Sequence, residues 1–98
     1  MGRIMRIALA ENVPQAIDLG MMTPGKLLIK NAGSADVYLG YDQGNVLAAS
    51  ASNYITIDAG VTWILDAGPG VGFLNQTSNM WFAAQGGDST LELWVASV

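Results

Sequence analysis

Apolar and polar residues alternate with a period of two along much of this chain. Val61, Trp63 and Leu65 are interleaved with Thr62, Ile64 and Asp66. Leu91, Leu93 and Val95 alternate with Thr90, Glu92 and Trp94, and Val37, Leu39 and Tyr41 with Asp36, Tyr38 and Gly40. Successive strand side chains point to opposite faces, so such a pattern marks strands with one face inward. It predicts strands at about 4–10, 26–31, 36–42, 54–59, 61–66, 71–75, 79–85 and 90–97. Glycine, proline and small polar residues punctuate them.

Three of the connections read as hairpin turns. Asn31-Ala-Gly-Ser-Ala35 leads from Leu27–Lys30 into Asp36–Tyr41, with Gly33 supplying a positive φ. Gln85-Gly-Gly-Asp-Ser89 does the same for the last two strands, and Ala59-Gly60 turns 54–58 back into 61–66. The segments 28–39 and 82–93 look alike, which reads as convergent turn chemistry, with an internal duplication as the alternative. Ala67-Gly-Pro-Gly70 ends a strand, because proline cannot donate to a ladder. Residues 43–53, rich in Ala, Ser, Gly and Asn, read as a surface loop or a partner-binding flap.

These features predict an all-β protein, an antiparallel β-sandwich or small jelly roll of about eight strands with an extended N-terminal arm. Residues 1–12 would be the arm and 13–98 a single sandwich domain. Trp63, Phe73, Phe82 and the inward leucines would fill the core. Trp81 and Trp94 share strand faces with small or polar residues, so both are expected to point outward as a cross-strand pair. A small second core beneath a loop or the arm is the alternative for that face.

Composition sharpens this picture. Charged residues make up 12% of the 98, about half the usual share of roughly 25%, while hydrophobic residues make up 51%. A domain this small leaves much of its surface uncovered, so a shortage of charge predicts surface buried against partners. The charges are also unevenly placed. All four bases (Arg3, Arg6, Lys26, Lys30) precede Asn31, whereas six of the eight acids follow it. The acidic body would repel phosphate, so nucleic-acid binding is not expected.

The chain has no histidine and no cysteine. Triad-type catalysis and thiol chemistry therefore lack their usual groups. The acids sit at turns and strand ends, where Asp normally satisfies backbone groups. Asp42-Gln-Gly-Asn45 lacks the acids of a calcium loop, and Gly68-Pro-Gly-Val-Gly72 is followed by no lysine of a phosphate loop. No catalytic residue, metal ligand or cofactor is expected. Apolar runs are too short for a membrane span, and Arg6 interrupts the stretch before Ala8-Leu9-Ala10 that would otherwise suggest a signal peptide.

The segments Lys30–Asp42, Asn53–Gly60, and Met80–Gln85 with Leu91–Ser97 together resemble small structural proteins of tailed bacteriophages. The resemblance covers residues of about 26–98 and consists of hairpin-like patterns rather than catalytic residues. It implies a β-sandwich or jelly-roll protein of the capsid decoration type. Such a protein would sit on the outer capsid surface after synthesis in the host cytoplasm. Its partners would be its own copies, with a trimer favoured, and the major capsid protein, with neither membrane nor nucleic acid involved. A clamp of this kind stabilises the shell by mass action, because it binds only the assembled form. The expected partner-contacting residues are Arg3, Ile4, Met5, Arg6, Ile7 and Leu9 of the arm, which could add a strand to a neighbour's sheet, with Trp81 and Trp94. A tail, neck or fibre component is the second reading, and a glycan-binding module using the tryptophans is the third.

Overall fold

The computed structural model describes residues 3–18, 25–67 and 79–97. Eight strands and one helical turn follow in order: β1 Arg3–Leu9, β2 Gln15–Asp18, β3 Gly25–Asn31, β4 Asp36–Gly40, α1 Gln43–Val46, β5 Ile55–Ile57, β6 Thr62–Ala67, β7 Asn79–Gln85 and β8 Ser89–Ser97. They form two four-stranded antiparallel sheets. Sheet A has the order β1-β8-β3-β6, and sheet B the order β2-β7-β4-β5. The chain passes from one sheet to the other at almost every connection, which is the jelly-roll form of the sandwich.

This topology corrects the expected hairpins. Residues 31–35, 58–61 and 86–88 each carry the chain between sheets, since β3, β6 and β8 lie in sheet A while β4, β5 and β7 lie in sheet B. Gly86 and Gly87 do take positive φ, at 85° and 144°. Gly33 does not, and its role is proximity. A Cβ there would lie 2.7 Å from both Ser89 Cα and Thr90 N, closer than real Cβ contacts allow. The two look-alike connections thus pack against each other.

Inward residues of both sheets form one core. Sheet A contributes Leu9, Leu27, Ile29, Leu91, Leu93 and Val95, and sheet B Ile17, Val37, Leu39, Ile57, Met80, Phe82 and Ala84. Trp63 packs against this core while partly exposed, as do Met5, Ile7 and Val61. The predicted strand at 71–75 and Phe73 lie outside the described residues. β2, which follows Pro14, escaped the sequence pattern because its four residues are too few to show a period.

The N-terminal segment, expected as an arm, is the edge strand β1. It pairs with β8 of its own chain from Arg3↔Val95 to Leu9↔Ser89. The alternation that suited a neighbour's sheet is satisfied within the chain's own.

Residues 43–53 begin with the single turn α1 and lie over the outer face of sheet B. Gln85 Nε2 donates to the Val46 carbonyl at 2.9 Å, and Val46 Cγ1 stands 3.2 Å from where a Cβ on Gly40 would be. Val46 and Ala83 are fully buried there, apart from the main core. This is the second small core beneath a loop.

Candidate assembly face

Strand alternation sends the even-numbered residues of sheet A outward. On each of the four strands, one of these positions is a large apolar residue. β-pairing sets them in register: Ile4 opposite Trp94, Trp94 opposite Leu28, and Leu28 opposite Ile64. The result is an apolar row crossing all four strands, about 14 Å between the outer strand axes. Ile4 is 78% exposed, Ile64 67% and Trp94 50%, and Leu28 is half-buried between them. Scattered exposed apolar residues are ordinary, but a contiguous set with a polar rim marks an interaction surface.

The next row outward is polar. Arg6 lies opposite Glu92, Glu92 opposite Lys30, and Lys30 opposite Thr62. Arg6 Nη1 contacts Glu92 Oε2 at 2.5 Å, and Lys30 Nζ approaches Glu92 Oε1 to 3.9 Å. These groups are largely solvated, so the pairs add little stability. Their effect is to hold a charged rail beside the apolar row. On the row's other side Lys26 is exposed, at a register position between Ala96 and Asp66. Shallow grooves run along both flanks of Trp94, one bounded by Ile4 and Glu92 and the other by Lys26 and Ile64.

Of the residues singled out from sequence, the structure brings Ile4, Arg6 and Trp94 together on this face. Met5, Ile7 and Leu9 point the other way, toward the core, and Arg3 is exposed at the start of β1. Trp81 lies in sheet B, opposite Ala16 and Gly40, and is only partly exposed. The two tryptophans therefore belong to different sheets and form no cross-strand pair. Leu28, Ile64, Lys26 and Lys30 were not foreseen. Their signal was a strand apolar on both faces, as in Leu27-Leu28-Ile29 and Trp63-Ile64-Leu65.

The remaining clusters are internally satisfied. Tyr38 and Tyr54 stack with ring centroids 4.1 Å apart on the outer side of sheet B. Buried Asn31 uses all its side-chain valences. Its Nδ2 donates to the carbonyls of Ala35 and Ile57 at 2.8 and 2.9 Å, while Oδ1 accepts from Gly33 N and Ser89 Oγ. Among the described residues, no three His, Cys, Asp or Glu lie close enough to hold a metal, and no helix is long and apolar enough to cross a membrane.

No protein-family model matches the chain, and no curated protein matches it. Matches among solved structures include two of different kinds. One is the crystal structure of an HTH_3 family transcriptional regulator from Vibrio cholerae, with 11% identity and a TM-score of 0.60 over 99% of this chain. The chain spans 43% of that protein's length, so the likeness concerns the fold alone. The other is the Tobacco streak virus coat protein, with 13% identity and a TM-score of 0.37 over 96% of this chain and 86% of that one.

Proposed function

We propose that this chain is a non-catalytic structural subunit of a virus particle, which decorates and stabilises a phage capsid by binding the assembled major capsid protein as a homo-oligomer. The in-register row Ile4–Trp94–Leu28–Ile64 carries the reading. A catalyst or a free-standing sensor gains nothing from an apolar stripe across a whole sheet. A subunit that ends in an assembly gains roughly 1–2 kcal/mol for each such side chain it buries. The low charge content and the absence of histidine and cysteine support the same reading. Binding only the assembled lattice would transfer that energy to the shell.

The test is co-sedimentation of the purified chain with emptied capsids and with isolated tails of the phage that carries it. Saturable binding to capsids, with a rise in their thermal disruption temperature, is the expected result. Binding to tails alone would replace this reading with the tail or neck one. Glycan binding that is lost in Trp94→Ala would replace it with the attachment module.

A further inference from the structure

All four bases of the chain lie in sheet A, Arg3 and Arg6 on β1 and Lys26 and Lys30 on β3. Lys26 stands on one side of the apolar row, and Arg6 and Lys30 on the other. A second set of exposed apolar residues flanks the edge strand β5 of sheet B, on both of its faces. Tyr41 is 50% exposed there, Tyr54 37% and Ile55 53%. Its rim has the opposite sign. Asp36 and Asp58 mark one end of the β4–β5 pair and Asp42 the other, all three exposed. The molecule thus presents an apolar row with bases on both sides, Glu92 standing between two of them, and an apolar edge with acids at both ends.

We propose that these patches are the two halves of one head-to-tail interface between copies of this chain. The outer face of sheet A of one copy packs on the β4–β5 flank of the next. On the rim of sheet A, Arg6, Lys26 and Lys30 outnumber Glu92, so two such faces packed together repel, whereas the flank offers Asp42 and Asp58. Complementary charge at the rim selects the partner and the register, while the apolar centre supplies the affinity. One half is a sheet face and the other a sheet edge, so each contact rotates the next copy instead of stacking it. A heterologous contact closes into a ring when its rotation divides a full turn and runs on as a filament when it does not, and a discrete oligomer requires the closed form. This inference rests on the reading of the chain as an assembly subunit, and it names the occupant of the apolar row.

The test is the solution mass of the intact chain and of three charge variants, each first checked for an unchanged circular dichroism spectrum. Asp42 and Asp58 are exposed, and Asp42 makes no capping hydrogen bond to α1, so reversing both is expected to leave the fold intact. The wild type is expected to be a discrete oligomer of three or more copies. Lys26→Glu with Lys30→Glu should weaken association about a hundredfold, and Asp42→Lys with Asp58→Lys by a similar factor. All four changes in one chain should restore the wild-type mass, because reversed rims again complement each other. A monomeric or strictly dimeric wild type overturns the proposal, and so does a fourfold variant that stays dissociated. A monomer that still binds capsids sinks this inference alone. A ring that ignores capsids sinks the functional reading alone.

Discussion

Ser89 Oγ donates a 2.7 Å hydrogen bond to Asn31 Oδ1, and both side chains are buried. Through Asn31 this bond reaches the Ala35 and Ile57 carbonyls, so one amide ties the start of β8 and the end of β3 to sheet B. Asn31→Ala would leave a hydroxyl, an N–H and two carbonyls short of partners. The expected loss is roughly 3 kcal/mol, read from the denaturant midpoint. Ser89→Ala should cost about 1 kcal/mol, and the two together less than their sum. A loss below about 1 kcal/mol for Asn31→Ala would show that the network is not holding the sheets.

Gly33 and Gly44 should respond oppositely to the same substitution. Alanine at 33 forces its Cβ against the Ser89 and Thr90 backbone, at an expected cost of about 2 kcal/mol or more. Gly44 lies in α1 with open space around it, and alanine there should stabilise by roughly 0.5–1 kcal/mol. Thermal unfolding of the two variants side by side checks the pair. Equal and small effects would mean that the close approach at Gly33 relaxes without cost.

Replacing Ile64 and Trp94 with threonine keeps strand preference while erasing half of the apolar row. In dilute solution, where chains are separate, stability should change by no more than about 0.5 kcal/mol per site. Self-association and capsid binding should fall sharply. If the dilute chain instead unfolds, the row belongs to the core of the monomer rather than to an assembly.

The Tyr38 hydroxyl is held above its ordinary value of 10.0, chiefly by its hydrogen bond to Tyr54. Repulsion from Tyr54, burial and Asp36 push the same way. The folded state therefore holds this proton more tightly than the unfolded chain. Its contribution to stability is complete below the unfolded value and is lost as pH rises through the folded one. Tyrosinate absorbance should show one group titrating late, and Tyr54→Phe should bring it back toward the ordinary range. A Tyr54→Phe titration identical to wild type would refute the assignment.

Strand positions were legible because burial on one face imposes a period of two, and β7 spans the expected 79–85. Strand partners were not. Asn-Ala-Gly-Ser and Gly-Gly-Asp end a strand equally well whether the chain turns back within a sheet or crosses to the other. Asn31 was read as a turn residue, since nothing in its neighbourhood reveals that four groups from three connections converge on it. The apolar row was hidden for a similar reason. Ile4, Leu28, Ile64 and Trp94 are up to 90 positions apart in the chain, and only the register of three strand pairs aligns them. The expected tryptophan pair failed on topology too, because β7 and β8 are sequence neighbours in different sheets.

β4 and β5 are the described strands that follow one another and also pair; elsewhere in the described sheets, bonded strands are distant in sequence. Sheet A is the extreme case, because β8 is its second strand and, among the described strands, the sole partner of β1. During synthesis, residues 3–9 must wait for 89–95 before they have anything to bond. Folding should therefore be slow and late, as for chains dominated by distant pairings, and it should begin around β4, α1 and β5. Until β8 arrives, β1 is an unpaired strand beside unpaired apolar residues. In that interval the nascent chain is at its greatest risk of joining the wrong neighbour.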